Sequence, residues 1–144
     1  MLKKAIDSWK HSRAISEVRS LLIGKALIAH ENEGQWNLVS DGEVYVYTMF
    51  WRLVGSNHIL VTSEDHQQQF GLPQPIDAAA KFNDALAMAR VTGVDVSPVT
   101  GDLLISFPNY RLEVITCSMG YETWSIGRQD SYETLFVGAN GGIL

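Results

Sequence analysis

Ser63-Glu64-Asp65-His66 gathers a hydroxyl, two carboxylates and an imidazole within four residues, the groups from which a nucleophile, a base and an orienting acid are assembled in hydrolases. Neighbours in an extended chain point to opposite sides, so the three roles can meet here only if the segment curls. The same residues suit a structural task, because Ser63 and Asp65 can cap and turn a chain through side-chain to backbone hydrogen bonds. A second grouping is Tyr121-Glu122-x-Trp124, whose spacing in a strand sets Glu122 and Trp124 on one face. On a cleft wall, a carboxylate beside an indole suits a sugar or a cation. Turned to a core, Trp124 is a large apolar filler, and Glu122 pairs with Arg52 or caps an edge.

Other chemistries find less support. Hydrolysis by two carboxylates would need Asp65 and Glu122 to face each other across a cleft, and sequence does not set that separation. A metal set drawn from His58, Asp65 and His66, with His11 or His30, lacks helical ligand spacing and has no thiolate partner. Cys117 is the only cysteine; it lies in an apolar stretch and reads as a buried thiol, and it excludes an intramolecular disulfide. No G-x-S-x-G, H-E-x-x-H, phosphate loop or dinucleotide fingerprint occurs. The closing Gly138-Ala-Asn-Gly-Gly-Ile does not lead a strand into a helix and reads as a turn or tail. No catalytic residue, metal or cofactor is therefore assigned, and the candidate binding residues are Trp51, Arg52, Ser63, Asp65, His66, Glu122 and Trp124.

Charge narrows the partners. With Asp and Glu at 16 against Lys and Arg at 11, the net charge is -5, which removes the general attraction to phosphate on which non-specific nucleic-acid binding depends. Basic residues cluster at Lys3, Lys4, Lys10, Arg13, Arg19 and Lys25, but Asp7 and Glu17 interrupt them, as on a solvated helix face. The N-terminus lacks the apolar run of a secretory signal, and no stretch has the length and apolarity of a membrane span. Nucleic acid and membrane are not expected partners, and a cytoplasmic location is expected.

The elements that must position these residues repeat. Ala14, Ile15, Val18, Leu21 and Leu22 form a helical stripe that Gly24 ends. Period-two alternation follows, with Asp41-Gly42 as a hairpin turn and Gly55-Ser56-Asn57 as another. After a polar connection over 64–76, Asp77 caps an alanine-rich helix expected to run from Asp77 to Thr92, and strands resume at Val94–Val96, Leu103–Phe107, Tyr110–Thr116, Glu122–Ile126 and Glu133–Val137. Setting Gly24 on Gly93 matches Trp36 with Leu103, Leu38 with Ile105, Val44 with Leu112, Val46 with Val114 and Trp51 with Trp124. Residues 1–144 are thus expected to form a single α+β domain. Two pseudo-repeated units, 14–63 and 77–138, each a helix followed by an antiparallel meander, would give about ten short strands and two helices in pseudo-twofold packing.

The motifs Leu22-x-Gly24, Leu38, Asp41-Gly42, Trp51-Arg52-Leu53, Ser63-x-Asp65, Gly101-Asp102-Leu103, Leu112-Glu113-Val114, Tyr121-Glu122-x-Trp124 and Gly141-Gly142 resemble those of a family of small uncharacterised bacterial proteins, a domain of unknown function. The resemblance covers most of the chain from Leu22 onward. It implies no activity or catalytic residue, only an association with immunity proteins of toxin systems. Two functions follow as expectations. The first is a non-enzymatic, immunity-like module that binds a basic protein. The second is a small-molecule or carbohydrate pocket, binding or hydrolytic, between the two halves. Self-association into a homodimer through an exposed strand is a further expectation.

Overall fold

The computed structural model describes residues 13–131, 133–139 and 142–143. Lys3, Lys4, Lys10, His11 and Gly141 lie outside the described residues. Helix α1 covers residues 13–22, with Val18 and Leu22 fully buried and Gly24 closing it at φ 80°. Five strands follow: β1 (Leu27–Asn32), β2 (Gln35–Ser40), β3 (Val44–Thr48), β4 (Trp51–Val54) and β5 (Ile59–Thr62). A single 3-10 turn (Ser63–Asp65) and a loop lead to α2 (Ala78–Ala85). The chain then forms β6 (Gly93–Val96), β7 (Leu103–Phe107), β8 (Tyr110–Val114), β9 (Trp124–Arg128), β10 (Glu133–Ala139) and β11 (Gly142–Ile143).

Antiparallel pairing builds a six-stranded sheet, β1-β2-β3-β9-β10-β11, and a five-stranded sheet, β5-β4-β8-β7-β6. The fold is α+β, as expected. Its strand order carries information that the meander picture lacks. β1, β2 and β3 of the first half are completed by β9 and β10 of the second, while β6, β7 and β8 of the second half are completed by β4 and β5 of the first. The two halves follow the same path and exchange their last two strands.

The exchange requires each half to turn a corner between sheets. In the first half the corner is Met49 and Phe50, and the buried Thr48 hydroxyl holds it by accepting from Phe50 N (3.2 Å) and donating to Phe50 O (3.1 Å). In the second half residues 115–123 do the same work. There Asp102 accepts from Thr116 N (2.8 Å), and the Thr123 hydroxyl donates to Ile115 O (3.2 Å).

Alternating side chains from both sheets meet in one core. The inner face of the larger sheet contributes Leu38, Val46, Ile126, Trp36 and Trp124, and the smaller sheet contributes Leu53, Leu112, Ile105, Leu103 and Trp51. α2 adds Phe82, and the residue that caps it, Leu86, joins the same core. Each of these large side chains stabilises the fold by roughly 1.5–3 kcal/mol through burial.

The helices also contact two of the four sheet edges, β1 and β6. On α2, Asn83 acts as a substitute strand for edge strand β1: its Oδ1 accepts from Ala29 N (2.8 Å) and its Nδ2 donates to Ala29 O (3.2 Å). On α1, Arg19 Nε donates to Val94 O (2.7 Å) on edge strand β6. Ala29 pairs with Leu38 and Val94 with Ile105, so the two helices meet equivalent rungs of the two sheets. These contacts occupy the backbone groups of Ala29 and the carbonyl of Val94, positions through which those edges would otherwise recruit another strand.

Three local expectations are corrected. The alanine-rich helix stops at Ala85 rather than Thr92, because Val91 leaves helical geometry to donate to Lys25 O (2.9 Å) and accept from Gly24 N (2.8 Å). β9 begins at Trp124, so Glu122 lies in the preceding loop and does not share a strand face with it. β8 ends at Val114, which leaves Cys117 exposed in the corner rather than buried on a strand.

Candidate functional site

The residues Ser63 to His66 do curl, and their polar groups turn back onto the chain. Thr62 caps the 3-10 turn, with Asp65 Oδ2 accepting from Thr62 N (2.8 Å) and from its hydroxyl (3.2 Å). Ser63 Oγ accepts from Trp51 N (3.0 Å) and donates to Trp51 O (3.3 Å), extending the β4–β5 ladder by one rung made of a side chain. His66 Nδ1 accepts from Ala78 N (3.1 Å) at the start of α2. That bond places the proton of the neutral ring on Nε2, which faces Glu31 Oε2 at 3.3 Å. The ring also stands edge-on to Trp36 at 5.3 Å. Hydroxyl, carboxylate and imidazole thus each fasten a different piece of backbone.

Trp51 and Trp124 are each 1% exposed. The Trp51 ring packs edge-on against Trp36 (5.0 Å, 86°) and Phe82 (5.3 Å, 75°). Arg52 projects from the opposite face of β4, where its Nε lies 2.7 Å from Glu113 Oε1, its cross-strand neighbour on β8, and not from Glu122. Glu122 is exposed. The structure therefore joins Trp51, Ser63, Asp65 and His66 through β4, β5 and the 3-10 turn, places Arg52 on the far side of that sheet, and sets Trp124 and Glu122 at the β9 end of the second corner. Among the described residues, no three His, Cys, Asp or Glu side chains gather in a metal-binding arrangement, and no helix is long and apolar enough to cross a membrane.

Two surfaces lie outside these motifs. The first is the outer face of the larger sheet. Register places Ile28, Val39, Tyr45, Gly127 and Thr134 along one row and His30, Asn37, Tyr47, Ser125 and Val137 along the next. No carboxylate, lysine or arginine stands in either row, although the chain carries a net charge of -5. Ile28 is 53% exposed, and Tyr45 and Tyr47 are half-buried. At one end, beside the Thr48–Trp124 pair, lie the exposed Met49 and the corner loop carrying the exposed Met119, Tyr121 and Glu122.

The outer face of the smaller sheet has the opposite character. Thr62, Arg52, Glu113, Leu104 and Asp95 form one row across it. Glu113 is held between two guanidiniums, Arg52 at 2.7 Å and Arg111 at 3.5 Å. The second surface is a groove of about 490 Å³ at one end of this sheet, between the β4–β5 and β7–β8 turns. Its lining includes Val54, His58, Phe107, Tyr110 and Arg111. The signal for both surfaces was present in the alternating residues between the turns, but reading it required knowing which strands are neighbours. Compared with known protein families, curated proteins and solved structures, the chain matches none of them.

Proposed function

We propose that the protein is a non-enzymatic binding module, in the manner of an immunity protein, and that it engages a basic partner protein through the outer face of the six-stranded sheet. The observation that carries this reading is the absence of formal charge from two adjacent cross-strand rows on a chain of net charge -5. Protein interfaces combine a charge-depleted, tyrosine- and methionine-rich centre with a charged rim. Tyr45, Tyr47, Ile28 and Met49 supply such a centre. Glu33 in the β1–β2 turn and Glu122 before β9 are acidic and exposed, and both lie at the end where Trp36 pairs with Thr48 and Thr48 with Trp124. The surplus negative charge favours a basic partner and speeds its encounter. The structural engagement of Ser63, Asp65 and His66 supports the non-enzymatic side of the reading, since the hydroxyl, one carboxylate oxygen and one ring nitrogen of the apparent triad are each already bonded to backbone.

The test is affinity capture from the source cells with three baits: the wild-type chain, Tyr45→Lys/Tyr47→Lys, and Lys81→Glu on the exposed side of α2 as a control. Wild type and control should retain one basic protein that the double variant loses, and retention should fall as salt is raised. Equal retention by all three baits would reject the sheet face, and no specific protein on wild type would reject the binding function itself.

A further inference from the structure

The groove on the smaller sheet is an independent feature, because the equivalent place on the larger sheet is bridged by a backbone hydrogen bond. Where the β2–β3 turn meets the β9–β10 turn, Gln129 N donates to Glu43 O (3.0 Å), and the carboxylates of Asp41 and Glu43 stand beside that junction. Where the β7–β8 turn meets the β4–β5 turn, no such bond spans the two among the described residues, and an opening of about 490 Å³ remains. The difference begins in the turns. Asp41, Gly42 and Glu43 separate the paired residues Ser40 and Val44, whereas only Pro108 and Asn109 separate Phe107 and Tyr110. The shorter turn does not reach across to Gly55–His58, which is closed on itself by Gly55 N donating to His58 O (2.8 Å).

The groove's chemistry defines what would fill it. Among the described residues, Arg111 is its only formally charged lining residue and no carboxylate lines it. Arg111 is already paired with Glu113, but that carboxylate lies closer to Arg52, at 2.7 Å against 3.5 Å. The two guanidiniums share one carboxylate, so the cluster carries a surplus positive charge beside the groove on an otherwise acidic chain. Asn57, Asn109, Ser56 and Tyr110 bring neutral hydrogen-bond donors. Val54 and the half-buried ring of Tyr110 bring apolar surface, while Phe107 beneath them is 5% exposed and belongs to the core. The volume falls within the roughly 300–1,000 Å³ typical of small-molecule sites. A peptide adding itself as a strand is disfavoured, because β4, β7 and β8 all have neighbours on both sides.

We infer that this groove binds a small organic acid with an apolar or aromatic body, its carboxylate on Arg111 and its body on Val54 and Tyr110. The site lies on the opposite sheet from the proposed protein-docking face, so either reading can fail without the other.

The experiment is an amide NMR titration of the isotope-labelled chain with benzoate, phenylacetate and indole-3-acetate, with benzamide as the uncharged control. At least one carboxylate should shift the amides of Gly55–His58 and Ser106–Arg111 in a saturable, salt-sensitive way, with little effect from benzamide. Arg111→Gln should weaken that binding about tenfold or more, the effect of losing a charge-assisted hydrogen bond, while Arg111→Lys should retain part of it. Both variants should keep the dispersed spectrum of the parent. Should Arg111→Gln fail to fold, Arg111→Lys and the benzamide comparison still decide the matter. No saturable shift with any carboxylate at millimolar concentration, shifts centred elsewhere, or equal shifts with benzamide would overturn the proposal. So would an affinity unchanged by Arg111→Gln.

Discussion

Trp51 and Trp124 occupy equivalent rungs of the two sheets, one opposite Val114 and the other opposite Thr48, yet they are buried by different means. Trp124 donates its indole N–H to Gly101 O (2.9 Å), and its ring lies across Gly138, where an added Cβ would collide with the indole. Trp51 faces Trp36 and Phe82, and its Nε1 has no hydrogen-bond partner among the described residues. Its neighbour on the rung is Ser63, whose hydroxyl bonds the strand instead of making room for a ring. A shared backbone path therefore fixes where a large side chain must go, but not how its polar atom is treated. The second-half site is built around one indole, and the first-half site is an aromatic cluster with a less demanding shape.

Substitutions can break this contrast, and the largest effect is expected at Gly138. Gly138→Ala should cost about 3 kcal/mol or more, because Trp124 must leave its place, whereas Ser63→Ala on the matching rung should cost only about 1 kcal/mol for its hydrogen bonds. Urea unfolding of both variants checks this, and comparable losses would erase the distinction. Next, Trp124→Phe should be more destabilising than Trp51→Phe by about 1–2 kcal/mol, since only the former leaves a carbonyl without its donor. Thermal or chemical unfolding of the pair measures that gap, and a gap of opposite sign would mean that the Trp51 N–H is satisfied in solution.

The edge contacts sharpen the same comparison at smaller amplitude. Asn83→Ala removes both bonds to Ala29 and should cost about 1–2 kcal/mol, with faster hydrogen exchange at the Ala29 amide. Arg19→Met removes one bond to Val94 from a side chain that is 51% exposed, so its cost should be less than half as large. Unchanged exchange at Ala29 in the Asn83 variant would show that the amide side chain does not guard that edge.

Much of this was legible in the residues. Alternation marked most strands, and the Asp41-Gly42 turn has the two positive φ angles, 44° and 76°, that its residues suggested. Matching Trp36 with Leu103 and Trp51 with Trp124 agrees with the register of the two sheets. Matching Val44 with Leu112 does not. Val46 and Leu112 share equivalent rungs, because the extra turn residue belongs to the first half rather than the second. The exchange of strands between halves was not legible at all, since alternation tells which side of a strand is apolar but not which strand lies beside it. Helix propensity likewise misjudged the end of α2, where backbone pairing of Val91 with Lys25 outweighs the preference of an alanine-rich segment. The chemical reading of Ser63, Asp65 and His66 followed from composition alone, and only the folded geometry reveals that each is an anchor for backbone.

Strand exchange also bears on how the chain is made. A ribosome delivers β3 and β4 well before β8 and β9, so the first half emerges with two central strands each lacking a neighbour. Neither sheet can close on the nascent chain until the second half has left the exit tunnel. Until then, the unpaired flanks of β3 and β4 are the places where a chaperone, or another copy still being translated, would make first contact.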